Sequence, residues 1–456
     1  MTLKAINPAT EAVIAEHPAH TDAEIEKRLT TARAAAATWR AIDPDQRATR
    51  LRRLAALLRE QSAALSELMT REMGKPIASA EAEVSKSAAC CDYFADNAAI
   101  LLAPQHRAVQ ADESYVRFDP LGVVLAIMPW NFPLRQVIRF AAPNLAAGNV
   151  AVLKHAPNVP GMSLAIEKLF TEAGFPAGVF TSLLIENDRA QQVIEHPAVA
   201  AVTLTGSVRA GGIVAGQAGA VRKKTVLELG GSDPFIVLAD ADLAPAAKAA
   251  ARSRCLNSGQ SCIAAKRFIV VESVLDAFTK AMTAEMAAMT VGDPMDRATD
   301  IGPLARADLR EALAEQVADS VAAGATLLTG GKPVGDRGFF YAPTILANVH
   351  PGMRAFDEET FGPAAAITSA RDADHAVELA NRSRYGLGAN IWTADLTHAK
   401  ALAERINAGC VAINDYVRSD PALPFGGVKD SGYGRELADF GIREFVNIKT
   451  VVVQSP

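Results

Sequence analysis

Three side chains in this sequence pair a reactive type with a position that could present it. Cys262 closes the segment Gly259-Gln260-Ser261-Cys262, a polar turn that precedes the run Ile263–Val271. A thiol carried on a turn can act as a nucleophile, because the thiolate is the reactive form and its pKa of ~8.5 is set by its surroundings. Glu228 closes an apolar run just before Gly230 and Gly231, where α/β enzymes display functional groups; read alone, it could equally cap a helix or pair with a cation. Asn131 lies between the prolines of Met128-Pro129-Trp130-Asn131-Phe132-Pro133, at the end of a buried apolar run. Its amide could donate to a developing oxyanion or close an Asx turn. Leu204-Thr205-Gly206-Ser207, running on to Gly211, follows a strand pattern and could offer backbone N–H groups to a pyrophosphate. The other cysteines, Cys90, Cys91, Cys255 and Cys410, fall inside helical or strand patterns and read as small buried residues. No cysteine or histidine spacing suits a metal.

Positioning such groups takes a substantial framework. At about 150 residues per domain, 456 residues suggest roughly three domains, or two large ones with an excursion. Hydrophobic residues make up 50% and charged residues 21%, which excludes a disordered chain or a disulfide scaffold. A net charge of −5 without a basic block argues against nucleic acid as a partner. No apolar run reaches the ~18–20 residues of a membrane span. The five scattered cysteines and a start with neither an apolar core nor an arginine-rich leader point to the cytoplasm.

The first quarter reads as helices. Leu51, Leu54, Leu58, Leu65, Leu68 and Met69 mark one helical face over 45–73, and an alanine-rich helix follows from Ile77 to about Leu102. Strand patterns then alternate with helix patterns: 122–127, 150–153, 179–184, 199–204 and 225–229, with a helix over 161–173. A second set follows at 235–238, 267–271, 326–328, 365–368, 389–392 and 410–413. Such alternation predicts parallel sheets covered on both faces. The tail 445–453 is β-rich and nothing follows it, so it is expected to pair in another subunit, in a small β-layer with 115–118.

Taken together, these pieces resemble the aldehyde dehydrogenase family. The resemblance runs from Asn7-Pro8-Ala9-Thr10 to Pro424-Phe425-Gly426-Gly427. It includes Pro129-Trp130-Asn131-Phe132-Pro133, Glu228-Leu229-Gly230-Gly231, Gly259-Gln260-Ser261-Cys262 and Glu358-Glu359-Thr360-Phe361-Gly362-Pro363. Within the family, Lys154-His155-Ala156-Pro157-Asn158 and Ser419-Asp420-Pro421 look most like bacterial NAD(P)-dependent succinate-semialdehyde dehydrogenases. The resemblance implies an α/β fold of two open twisted parallel-type sheets with flanking helices, a Rossmann-like cofactor domain and a catalytic domain, plus a small β oligomerisation element. It divides the chain into a cofactor domain at 1–229, interrupted by a β segment near 103–120, a catalytic domain at 230–430, and a C-terminal segment with the oligomerisation strand at 431–456.

It also implies roles. Cys262 would attack an aldehyde, Asn131 would hold the oxyanion, and Glu228 would activate the water that hydrolyses the thioester. Trp130, Lys154, Gly178, Gly206, Ser207, Glu359 and Phe361 would line the site of NAD or NADP. Arg139, eight residues after Asn131, would bind a substrate carboxylate, helped by Arg418 and Ser419. Two positions depart from the pattern: Pro157 stands where many NAD-preferring relatives carry a glutamate, and Leu256 where some relatives carry a second arginine. The partners implied are a small aldehyde and further copies of the chain, as a homodimer or homotetramer. The alternatives would be a broad-specificity aldehyde dehydrogenase, or beyond that a CoA-acylating semialdehyde dehydrogenase or a member without turnover; Glu228 speaks against CoA acylation and the intact trio against a member without turnover.

Overall fold

Runs rich in β-branched residues, alternating with alanine-rich helices, assemble in the computed structural model into two sheets that meet between Glu228 and Asp233; the structure describes residues 2–455. The chain opens with a hairpin, β1 (Thr2–Ile6) and β2 (Val13–Pro18). Four helices follow: α1 (Asp22–Ala41), α2 (Pro44–Glu60), α3 (Ser62–Met73) and α4 (Ile77–Leu101). The apolar stripe over 45–73, expected on one helical face, belongs to two helices broken at Gln61, which caps both. The hairpin was not legible as strands, because its six-residue second strand is mostly exposed and its apolar residues do not alternate with polar ones. Two strands, β3 (Gln105–His106) and β4 (Glu113–Pro120), lead into the first sheet.

That sheet is built from β5 (Val123–Met128), α5 (Arg135–Ala146), β6 (Val150–His155), α6 (Pro160–Glu172), β7 (Phe180–Ser182), α7 (Ala190–Glu195), β8 (Val199–Thr205), α8 (Val208–Ala220) and β9 (Lys224–Glu228). Its five long-range strands run parallel in the order β9-β8-β5-β6-β7. The order reverses beside β5, which opens a crevice at the carboxyl ends of β5 and β8, where such sheets receive ligands. Strands β5 and β6 are buried along almost their whole length, as helices on both faces require.

The second sheet follows with β10 (Asp233–Val237), α9 (Leu243–Cys255), β11 (Ala265–Val271), α10 (Leu275–Ala287), α11 (Ala307–Ala322), β12 (Thr326–Thr329), β13 (Thr344–Ala347), α12 (Arg354–Asp357), β14 (Ala364–Ala370), α13 (Ala373–Asn381), β15 (Gly388–Trp392), α14 (Leu396–Glu404) and β16 (Cys410–Ile413). Its order is β12-β13-β14-β11-β10-β15-β16, parallel except for the edge pair β12–β13. Alternate residues feed two cores: Phe235, Val237, Phe268 and Val270 face one layer of helices, Ile236 and Ile269 the other. The chain then returns to the first sheet, where β17 (Gly432–Tyr433) pairs with β9, and ends in α15 (Ala438–Ile442) and β18 (Val446–Val453).

The tail corrects one expectation. Strand β18 pairs antiparallel with β4 of its own chain over eight residues, from Val446 opposite Pro120 to Val453 opposite Glu113. The 115–118 segment does join this small layer, but the partner strand comes from within the chain, because the return through β17 and α15 brings the tail back beside it. Among the described residues, no strand pairs with the outer edge of β18. No described helix is long and apolar enough to cross a membrane.

Candidate active site

The turn before Cys262 is held in an unusual backbone. Asn257, Ser258 and Gly259 all take positive φ, 55°, 56° and 75°. A Cβ on Gly259 would sit 2.3 Å from the carbonyl carbon of Gly362, so this turn can carry only glycine there. The Asn257 side chain spans the neighbouring turn: its Nδ2 donates to the carbonyl of Asn131 at 2.7 Å and to that of Gln260 at 3.1 Å. Asn131 in turn donates Nδ2 to the Gln260 carbonyl at 3.0 Å. The two-proline turn and the cysteine turn are thereby locked together, with the second N–H of the Asn131 amide left for another acceptor.

Lys266, the second residue of β11, is fully buried and draws the turn inward. Its Nζ donates to the carbonyls of Ser261, Cys262 and Ala264 at 3.0, 2.8 and 3.2 Å. It also lies 3.5 Å from a carboxylate oxygen of Glu359. Glu359 accepts from the backbone N–H of Gly231 at 3.1 Å. A Cβ on Gly231 would meet the Cys262 carbonyl at 2.7 Å, and one on Gly230 would meet the Glu359 carboxylate. The paired glycines therefore let the end of β9, the cysteine turn and the Glu359 loop meet.

Cys262 is half-buried, and burial pushes its thiol up to about 12. Arg139 and Lys266 pull the other way, while Glu359 and Glu228 add to the rise. Glu228 is 2% exposed, and neither of its carboxylate oxygens has a hydrogen-bond partner. Burial raises its pKa well above the ordinary carboxyl value; Glu436 adds repulsion, and Arg139 opposes it. A Cβ on Gly426 would fall 2.6 Å from Oε1 of Glu228, so that glycine leaves the carboxyl its space. A thiol, an amide donor and a carboxyl without partners thus share one electrostatic environment. Such a set can add a nucleophile to a carbonyl, stabilise the adduct and move protons.

The remaining expected residues divide. Lys154 and His155 end β6, and Gly206 with Ser207 follows β8, all at the carboxyl edge of the first sheet. Ser207 caps α8 by accepting from the Ala210 N–H at 3.2 Å. The Lys154 ammonium bonds Asn187, and burial lowers it to about 8. His155 is buried and neutral: its Nδ1 accepts from Ala156, so Nε2 donates to the Pro133 carbonyl at 2.8 Å, with its pKa down at about 4. Trp130 and Phe361 meet edge to face, with ring centroids 5.8 Å apart.

Gly178 lies elsewhere. It precedes β7, whose first residue Phe180 pairs with Ala151 near the start of β6, so it sits at the amino end of the sheet, away from Lys154. Its positive φ and a Cβ position 2.8 Å from the Thr31 carbonyl mark a packing glycine against α1. Arg139, expected to meet a substrate carboxylate, meets one of the chain's own. It is buried on α5, its Nε pairs with Glu436, and its guanidinium stacks over Phe425 at 4.6 Å. Its charge is therefore already matched. Arg418 is exposed, bound to Asp415 at 2.6 Å and stacked on Tyr416, and Ser419 beside it is half-buried. Cys410, expected to be buried, is half-buried in the edge strand β16, while Cys90, Cys91 and Cys255 are buried.

Asn257, Lys266 and Glu436 were not anticipated. Lys266 left a signal, a lysine inside an otherwise apolar strand. Glu436 left none, since its partner Arg139 is almost 300 residues away in sequence.

The Aldehyde dehydrogenase family profile matches residues 1–451. The chain is 51% identical over 446 residues to the succinate semialdehyde dehydrogenase [NAD(P)+] Sad of Escherichia coli, covering 98% of this chain and 96% of that protein. It is 48% identical over 459 residues to the succinate-semialdehyde dehydrogenase [NADP(+)] of Mycolicibacterium paratuberculosis, covering 100% and 97%. The crystal structure of succinic semialdehyde dehydrogenase from Streptococcus pyogenes, in complex with NADP+, superposes with a TM-score of 0.97 at 38% identity, covering 99% of this chain and all of that one.

Proposed function

Because the chain belongs to the aldehyde dehydrogenase family, we propose that it oxidises succinate semialdehyde to the acid with NAD+ or NADP+, using Cys262, Asn131 and Glu228. The observation that carries the substrate is the near-full-length identity of about one half to enzymes that bear this activity in their names.

In this reading the Cys262 sulfur attacks the aldehyde carbon, and the carbonyl oxygen becomes an alkoxide. The free N–H of the Asn131 amide and the Cys262 backbone N–H receive that charge. Attack requires the thiolate; the positive charges of Arg139 and Lys266 favour it against burial. The crevice suits a dinucleotide. At its rim lie the buried Lys154 ammonium, the Gly206–Ser207 turn that opens α8, and the buried Thr205 hydroxyl, which has no partner. Glu359 and the Trp130–Phe361 corner would hold the far end beside Cys262. When bound, the nicotinamide supplies the acceptor for the hydride that leaves the adduct. The product on Cys262 is then a thioester, which Glu228 hydrolyses by taking a proton from water. An elevated carboxyl pKa suits this task, because a stronger base accepts a proton more readily.

The five free cysteines fit a reducing, cytoplasmic setting. The free edge of β18 and its exposed Ile448 and Val452 support assembly into dimers or tetramers through the small sheet.

Initial rates with succinate semialdehyde, butyraldehyde and benzaldehyde, each with NAD+ and NADP+ and without CoA, test the proposal. The semialdehyde should have the highest kcat/KM, with no requirement for CoA. Preference for either uncharged aldehyde would reject the substrate, and strict dependence on CoA would reject hydrolysis.

A further inference from the structure

The Cys262 backbone N–H is one of the two donors that receive the alkoxide in the proposed mechanism, and its direction must be fixed before the substrate arrives. Among the described residues it donates to no acceptor. The group that orients it lies behind the turn. Lys266 is fully buried on β11, and its ammonium has three N–H groups. The turn takes all three, through the carbonyls of Ser261, Cys262 and Ala264 at 3.0, 2.8 and 3.2 Å. A neutral amine has only two N–H groups, so three acceptors require the charged form. Glu359, at 3.5 Å, then balances the charge across space without taking a proton. Burial lowers the Lys266 pKa, and Glu359 resists that fall.

A planar trans peptide carries its C=O and its N–H in opposite directions, and the described chain has no cis peptide. The Ser261 C=O and the Cys262 N–H belong to one such peptide. With that carbonyl held on Lys266, the Cys262 N–H points away from the buried ammonium. A later peptide of the same turn follows the same rule: Lys266 holds the Ala264 carbonyl, and the Ala265 N–H on the far side donates to the Ser253 hydroxyl at 3.1 Å. A cation on a carbonyl oxygen also draws electron density from the amide, which makes its N–H a stronger donor. Among the described residues, the only other group on the Ser261 carbonyl is the Ala264 N–H at 3.2 Å, from within the turn itself. Lys266 is thus the one contact that ties this peptide to the sheet.

We propose that Lys266 is a positioning residue for the reaction: it turns and polarises the Ser261–Cys262 peptide so that the Cys262 N–H stands ready for the alkoxide formed when Cys262 adds to an aldehyde. The assignment rests on the mechanism above and goes beyond it, since there Lys266 favours the thiolate by its charge alone. The two roles separate by chemistry. Addition to an aldehyde turns the carbonyl oxygen into an alkoxide that needs the donor. Alkylation by iodoacetamide consumes the same thiolate, forms a C–S bond and breaks the C–I bond. The negative charge leaves on iodide, and no oxyanion forms.

The test follows both reactions in the full chain. One is the first-turnover rate of NAD(P)H formation from succinate semialdehyde at saturating NAD(P)+. The other is alkylation of Cys262 by iodoacetamide in the cofactor-free protein, read by peptide mass spectrometry. Lys266→Met should lower the first rate by about 10²–10³-fold, the loss typical of one oxyanion donor, and slow alkylation much less, so that their ratio falls at least about tenfold. An unchanged ratio, whether both rates are kept or both fall together, would overturn the assignment. A wild type that does not oxidise aldehydes, or whose Cys262 resists alkylation, would instead reject the mechanism on which the assignment rests. If Lys266→Met does not fold, Lys266→Gln, which keeps N–H donors but no charge, is judged by the same ratio. If neither folds, the crystal structure of the wild type with a trifluoromethyl ketone bound to Cys262 decides. The hemithioketal oxygen should lie within hydrogen-bond distance of the Cys262 N–H while Lys266 holds the Ser261 carbonyl. An oxygen turned away from that N–H, or a Lys266 released from the turn, would overturn the assignment.

Discussion

In the proposed mechanism, Cys262, Asn131 and Glu228 should fail in three different ways. Cys262→Ala should abolish oxidation while cofactor binding, followed by fluorescence quenching, persists; dehydrogenase activity above a trace would remove the nucleophile. Asn131→Ala should lower kcat by about 10²–10³-fold, the usual loss for one oxyanion donor. Some of that loss would come from the lock itself, since Asn131 also donates to the Gln260 carbonyl. The pH dependence has a fixed sign. Burial raises both the Cys262 thiol and the Glu228 carboxyl, and each acts in its deprotonated form. The rate should therefore climb as pH rises above neutrality, and a pH–rate profile with its maximum at about 5 would contradict this. These candidates stand out because each belongs to a recognisable local pattern: a glycine turn, an apolar run, a pair of prolines. The surroundings of Arg139 were harder to read. Its spacing from Asn131 is visible in the sequence, whereas the carboxylate that neutralises it, Glu436, reaches it only through the fold.

At the scale of elements, the cysteine turn depends on its left-handed backbone. Gly259→Ala would place a methyl group against the Gly362 backbone in a conformation that already costs about 1–3 kcal/mol for a residue with a side chain. It should lower the denaturation midpoint and slow NAD(P)H formation; full stability with full activity would show that the turn relaxes freely. Most strands of both sheets could be read from their β-branched runs. β7 was overextended because its apolar pattern continues for several residues past Ser182, where the pairing with β6 ends. β13 was missed although it is buried, because four residues between turns give too short a pattern. The two-residue strand β17 has no pattern at all; its pairing with β9 is set by the glycines around it.

For the whole molecule, the tail shows what sequence could and could not supply. Its β character was evident, but its partner depended on how the chain returns, and that places β18 on β4 within one copy. What remains open is the other edge, with Ile448 63% and Val452 58% exposed. Sedimentation should find dimers or tetramers, and Ile448→Lys with Val452→Lys should shift them toward monomer; a stable, active wild-type monomer would contradict the assembly. The central claim, that this fold brings Cys262 and Glu228 together to pass a succinate semialdehyde through a thioester, can be tested in one measurement. Glu228→Gln is mixed with succinate semialdehyde and NAD(P)+, and the intact protein and its peptides are weighed by mass spectrometry. The account predicts one succinyl group per chain on the peptide that contains Cys262, formed together with one equivalent of NAD(P)H and slow to hydrolyse. Unmodified protein, or an adduct on any other cysteine, would contradict it.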